Sequence, residues 1–352
     1  MKKFKVSAPG KLHLLGEYVV VYNKPAILAA VDKRCLIEII SRKDRNIKIF
    51  SKNYKRQITV GFEDLIRKFE IAQKDWEIYN ENNDVSLLKS ITKDPLDYPQ
   101  IIVGQFLNYY KINSIDGFDL LIDSQVPVGC GMGSSGSLAV SVIGALSLFS
   151  GKKLDKEIIN KIAFFAEQKK HGKPSGGDNS TSCFGGLVWF KKDEGLKPLD
   201  TDLPKEVTQN FYIINTGVPQ ETTGEMVSIV RALNLKKPKL TEQIFDDQEK
   251  LVRKLLPALK KASHKEIVRI IRTGEANLEK LGVVSPFVQK IIRDIEKSGG
   301  AAKICGGGGI TKATGIILIY HTSLQSLQKV LESLQFEPMK LSIGVEGLRK
   351  EN

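Results

Sequence analysis

None of the four cysteines, Cys35, Cys130, Cys183 and Cys305, belongs to a C-x-x-C pair. Zinc-ribbon and thioredoxin-like readings therefore lack support, and reduced core or loop thiols are expected. No apolar stretch near Met1 reads as a signal peptide. The most apolar segment, Leu138 to Phe149, is too short to span a bilayer and carries Ser141, Gly144 and Ser147. A cytoplasmic protein without a membrane partner is expected. There is no internal repeat and no low-complexity tract. The chain also lacks G-x-x-x-x-G-K-[ST], so it has no P-loop, and it lacks H-R-D and D-F-G, which excludes a protein kinase. A literal G-x-G-x-x-G spans Gly131 to Gly136. A dinucleotide fold would place an acid at a strand end about twenty residues further on. Gly151-Lys-Lys-Leu-Asp155 opens a helix there instead.

What is present is a chain of 352 residues with 41% hydrophobic and 26% charged residues, enough for two domains with real cores. The net charge of +13 comes from dispersed lysines and arginines, mostly on solvated faces, with no recognisable nucleic-acid module. Attraction of a small anion such as a nucleotide fits this pattern better than nucleic-acid binding.

Period-two alternation and β-branched residues predict strands at 4–7, 12–21, 35–41 and 47–51. The polar stretch 62–95 reads as a mobile helix-and-loop insertion. Helices follow near 98–110, 134–149 and 155–170, with strands at 118–123 and 186–191. Charged residues and two prolines make 192–204 the candidate linker. Beyond it lie a strand at 211–215, helices near 219–233, 241–262, 264–281 and 285–298, strands at 301–305 and 315–320, a helix at 323–335 and a last strand at 339–345. This order suggests an α+β architecture divided at 1–204 and 205–352.

Three glycine-rich runs carry the chemistry. Pro127-Val-Gly-Cys-Gly-Met-Gly-Ser-Ser-Gly-Ser137 joins a strand to a helix. Backbone N–H groups at Gly129, Gly131, Gly133 and Gly136 can converge on one anion because no Cβ blocks the approach. The helix adds its positive end. Ser134 and Ser135 offer hydroxyls to phosphate or to Mg2+, a cation that prefers hard oxygens. Cys305-Gly-Gly-Gly-Gly309 follows a strand and marks close backbone approach. His171-Gly-Lys-Pro-Ser-Gly-Gly-Asp178-Asn179 sets a carboxylate in a Gly/Pro-rich turn after a helix containing Glu167. Phosphoryl transfer to an alcohol needs positioning, charge neutralisation and often a carboxylate base. Asp178 can be that base, Glu167 a magnesium ligand, and Lys11, after Ala8-Pro-Gly10, a cation for the developing charge. Taken singly, Asp178 reads as an Asx turn, Glu167 as a solvated helix face and Lys11 as surface charge. Asn53 and Tyr54 are candidate adenine contacts.

Together Ala8-Pro-Gly-Lys-Leu-His-Leu-Leu-Gly-Glu17, Pro127 to Ser135 and Lys303-Ile-Cys-Gly-Gly-Gly-Gly309 resemble the motifs of the GHMP kinase superfamily, in its order and near its spacing. The stretch from Glu167 to Gly186 is similar to E-x-x-x-H-G-x-P-S-G-x-D-N of the mevalonate kinases. The resemblance implies an N-terminal ribosomal-protein-S5-like domain and a C-terminal ferredoxin-like domain with the site between them. It implies ATP with Mg2+ as cofactors and transfer to the 5-hydroxyl of mevalonate. Asp178 would be the base and Lys11 its partner. Ser135 and Glu167 would hold the metal, and the glycine loop with Ser134 would wrap the phosphates. Glu17, Tyr18 and Thr222 would lie near the acceptor. Tyr18 stands where mevalonate kinases usually carry His, and phosphomevalonate kinases often carry Tyr there. Phosphomevalonate or another small alcohol is the alternative acceptor, and a non-catalytic ligand sensor on the same fold is the other alternative. A homodimer is one option for the assembly.

Overall fold

The computed structural model describes residues 2–199 and 202–352. The first sheet is built on two long antiparallel strands, β1 (Lys3–Leu15) and β2 (Ala26–Ser41). β1 runs straight through Pro9-Gly10, where the register shifts by a bulge, and it ends at Leu15 rather than continuing to Val21. A bulge tolerates proline because one residue there is already outside the ladder. β2 starts nine residues before the expected Cys35: Ala26 to Val31 is buried on both faces, so it shows no alternation.

The sheet continues through β3 (Ile47–Ser51), β4 (Arg56–Val60), β5 (Phe118–Ser124), β6 (Leu187–Lys191) and β7 (Gly195–Leu199). β2 changes partner along its length, pairing with β6 through Ala26 to Ala29 and with β5 through Cys35 to Ser41. β7 pairs with β6 as a hairpin, so five of the thirteen residues of the expected linker, Gly195 to Leu199, are strand; residues 200 and 201 lie outside the described residues.

Four longer helices and two short ones belong to this half: α1 (Phe62–Asn82), α2 (Val85–Ile91), α3 (Asp97–Tyr109), α4 (Ser134–Phe149), α5 (Lys156–His171) and α6 (Gly177–Phe184). The stretch expected as a helix-and-loop insertion is a pair of helices, α1 and α2. Leu65, Phe69 and Ala72 form a buried stripe at helical spacing. Trp76 Nε1 donates to the Gly172 carbonyl at 2.9 Å, and the Lys169 ammonium lies 4.8 Å from the Trp76 ring centre. The insertion thus braces the run that carries Asp178.

The second half follows the short α7 (Lys205–Thr208). It comprises β8 (Phe211–Asn215), α8 (Thr223–Lys236), α9 (Pro238–Lys260), α10 (His264–Lys280), α11 (Pro286–Lys297), β9 (Ala301–Ile304), β10 (Ile316–Tyr320), α12 (Leu324–Ser333) and β11 (Met339–Lys340). These strands form an antiparallel sheet in the order β11-β8-β10-β9, the split arrangement of a ferredoxin-like unit. The last expected strand shrinks to two residues, and the chain end returns as β12 (Arg349–Glu351) beside β1. One core joins the two sheets: Leu12, Leu15 and Ile27 pack with Phe211, Ile213, Leu255 and Ile270. The glycine-rich runs meet at this seam.

Candidate active site

β1 delivers Lys11 to the seam. Its backbone N–H donates to the Met132 carbonyl at 2.9 Å, docking the first motif on the second. The Lys11 ammonium, almost wholly buried, lies 3.0 Å from Asp178 Oδ1 and 3.3 Å from His13 Nδ1. Asp178 is not in a turn. Gly176, with a left-handed backbone, closes the turn and caps α6, placing Asp178 in the first helical turn. Its side chain keeps 35% exposure, so the carboxylate is reachable from the cleft. Asn179 turns into the core, where its amide donates to Asn160 Oδ1 at 2.6 Å.

Opposite Asp178, α4 begins at Ser134 after Gly133, whose backbone is left-handed. The N–H groups of the first helical turn have no carbonyl partner within the helix, and with the helix dipole they make an anion site. Two glycines here are required by contact. A Cβ at Gly136 would meet the backbone of Asp178 and Asn179 at 3.0 Å, so α4 and α6 approach only because it is absent. A Cβ at Gly131 (φ +87°) would come within 2.5 Å of the Cys305 carbonyl oxygen, which locks the second glycine run against the third. Gly131→Ala is therefore expected to lose at least about 1–2 kcal/mol of stability from the left-handed backbone, plus the clash. Gly151→Ala has a similar φ of +71° and nothing within 4 Å, so it isolates the backbone share. Denaturant melts that leave the two variants equal would refute the docking of the runs.

Ser135 Oγ lies 3.0 Å from both Glu167 Oε2 and His171 Nε2. Glu167 is 2% exposed, and its other oxygen accepts from the Tyr98 hydroxyl. Burial, and then the charge of Glu167, push the Tyr98 phenol well above its ordinary pKa, so it stays a donor. A cleft beside this pair is lined by Ser134, Ser135, Tyr98, Lys170, Asn53 and Tyr54. The Asn53 side chain bonds the backbone of Ser124 on β5, at 2.7 Å to its carbonyl and 3.0 Å from its N–H, while Tyr54 is half-exposed at the rim.

On the other side of the second glycine run, Gly129, Gly131, Glu221, Thr222 and Gly307 line a second cleft. Thr222 caps α8: its hydroxyl accepts from the Glu225 N–H at 3.2 Å. Glu17 and Tyr18 do not join the Lys11–Asp178 pair. Glu17 is buried against Lys303, and Tyr18 donates its hydroxyl to the Gly307 carbonyl from a largely buried position with a φ of +64°. All four cysteines are free and buried.

Sequence reasoning missed Tyr98, Lys170, His13 and Lys303. Tyr98 and Lys170 lie in a helix stripe and a lysine pair that look like ordinary core and surface. His13 carries a weak signal, two residues beyond Lys11 on the same strand face. Lys303 stands two residues before the third glycine run and pairs with a carboxylate 286 positions away.

Residues 97–186 match the model of the GHMP kinases N terminal domain. The chain is 32% identical to a mevalonate kinase of Pyrococcus horikoshii, over 100% of this chain and 98% of that protein. It is 30% identical to a mevalonate kinase of Pyrococcus furiosus, over 99% and 98%. The crystal structure of the Methanococcus jannaschii mevalonate kinase superposes with a TM-score of 0.79 at 22% identity, covering 97% of this chain and 98% of that one. With 30% or more identity held over whole chains and the same fold beneath it, the chain belongs to the mevalonate kinase family of the GHMP kinases.

Proposed function

We propose that this protein transfers the γ-phosphoryl group of ATP to the 5-hydroxyl of mevalonate, giving 5-phosphomevalonate and ADP, in the cytoplasm. The observation that carries the reading is the Lys11–Asp178 pair, 3.0 Å apart, set against the start of α4. Among the described residues no helix is long and apolar enough to cross a membrane. In this reading residues 1–204 supply the phosphate loop and the base, and residues 205–352 supply the opposite wall through Thr222 and the third glycine run.

Asp178 takes the proton of the 5-hydroxyl as the oxygen attacks in line. Lys11, pinned on one side by its contact to Asp178, offsets charge on the attacking oxygen and on the transferred group. The N–H groups from Gly129 to Gly136 hold the phosphates, and the adenine lies toward Asn53 and Tyr54. Ser135 and Glu167 would hold the magnesium ion. They fit it, because they present hard oxygens 3.0 Å apart at the first turn of α4. Among the described residues there is no group of three or more His, Cys, Asp or Glu that forms a cage. That matches a cation whose other ligands are phosphates and water. When bound, Mg2+ supplies charge neutralisation on the phosphate oxygens.

The Tyr18 hydroxyl is engaged with Gly307. This supports reading its departure from His as a change in how the third glycine run is held. An ADP-release assay across mevalonate, phosphomevalonate, homoserine and galactose tests the acceptor. Mevalonate is expected to exceed the others by about 10²-fold or more in kcat/KM. Turnover of phosphomevalonate with mevalonate inert would overturn the assignment.

A further inference from the structure

The ammonium of Lys170 has no carboxylate within salt-bridge distance among the described residues; its recorded contact is the Tyr98 ring, 4.5 Å away. Its neighbours are accounted for. Lys169 stacks on Trp76, and Lys173 donates to Asn83 Oδ1 at 2.8 Å. Glu167, one helical turn before Lys170 on the same face of α5, has one oxygen taken by Tyr98 and the other by Ser135. Lys170 is half-buried and lines the cleft that contains Ser134 and Ser135 at the start of α4. Burial lowers its pKa from the ordinary lysine value, against the opposing charge of Glu167. A cation held partly out of water with only an aromatic face beneath it is under-compensated. Across the cleft, the N-terminus of α4 presents the positive end of its dipole to the same space.

We propose that Lys170 is a ligand of the nucleotide's phosphate chain, held for that contact by the Tyr98 ring, whose hydroxyl at the same time fixes Glu167. The proposal rests on the kinase reading and adds to the glycine run a side-chain cation from the opposite wall. Tyr98 is then a positioning residue that sets the cation and the carboxylate from one ring.

Nucleotide binding without acceptor tests it, by calorimetry with ADP and with adenosine, in EDTA and in Mg2+. Lys170→Met keeps the length and apolar stem of the side chain. It is expected to weaken ADP by about tenfold or more while leaving adenosine within about twofold, and to flatten the salt dependence of ADP binding. Lys170→Arg should restore most of the affinity. The unliganded Lys170→Met protein should melt no lower than the parent, since it buries one charge fewer, while the rise in melting temperature given by ADP shrinks. Unchanged ADP affinity, or an equal loss for ADP and adenosine, would overturn the proposal. A parent protein that binds neither ligand would overturn the kinase reading itself, and this contact with it.

Discussion

The Asp178→Asn protein is expected to fold like its parent and to turn over about 10²–10⁴-fold more slowly, the usual share of a general base. Asparagine is nearly isosteric and can still accept from the Lys11 ammonium. The ion pair it replaces sets an almost wholly buried ammonium against a carboxylate that keeps 35% exposure, so the retained acceptor and the water-facing side of the pair limit the loss of stability. What it cannot do is take the acceptor's proton. KM for ATP should stay near the parent value, because the proposed phosphate contacts, α4 and the glycine run, are left untouched. A kcat within about threefold of the parent, with an unchanged melting curve, would remove Asp178 from the role of base. Lys11→Met separates the two halves of the pair. It leaves the carboxylate but removes the charge that steadies the attacking oxygen, so kcat should fall again while Asp178 keeps its place at the start of α6.

How much of this is legible in the sequence differs from element to element. α4 starts and stops where the sequence puts it, because a left-handed glycine, two serines and an uninterrupted apolar run all mark the same boundary. β4 and β7 escape notice because both are short strands at the margins of the sheet with no fully buried residue, where the apolar alternation is too weak to register. α1 is legible as the helical part of the insertion, but its packing is not. Its polar composition suggests mobility, yet Leu65, Phe69 and Ala72 are spaced for one buried face. The segment of Asp178 looks like a turn because Gly and Pro dominate it, and only the left-handed backbone at Gly176 shows where the turn becomes a helix.

The site itself divides in the same way. Residues that lie inside the glycine-rich runs or beside them could be named, since each run needs its own composition to approach a phosphate. The residues that hold those in place could not. Tyr98 reaches Glu167 from another helix, and Trp76 steadies Gly172 from an insertion that looks dispensable. Such partners carry no local signature, because any donor of the right length at that point in space would serve.

Lys303 is the extreme case of such a hidden partner, and Lys303→Met is expected to destabilise the fold by about 3–5 kcal/mol near pH 8. Lys303 is fully buried; its ammonium donates to Glu17, to the His13 carbonyl at 3.3 Å and to the Ile304 carbonyl at 2.7 Å. Removing it leaves Glu17 as an unpaired buried carboxylate whose other oxygen already has no partner. Glu275 sits in the same pocket. Burial pushes its carboxyl up to about 8, against the pull of Lys303 and of the Ile304 N–H. A carboxyl whose pKa is higher in the folded state than in the unfolded state supports the fold fully below the unfolded value. That support is lost as pH rises through the folded one. For Glu275 the loss runs from about 4.5 to about 8. Without Lys303 the opposing pull disappears, so the Glu275 carboxyl rises further. The penalty should therefore shrink as the pH falls and Glu275 takes up its proton. Urea melts at about pH 5.5 and about pH 8 read this directly, and the double variant Glu17→Gln, Lys303→Met should recover part of the loss at the higher pH. A Lys303→Met protein within about 1 kcal/mol of the parent at both pH values would show that the buried pair does not hold the first motif to the third.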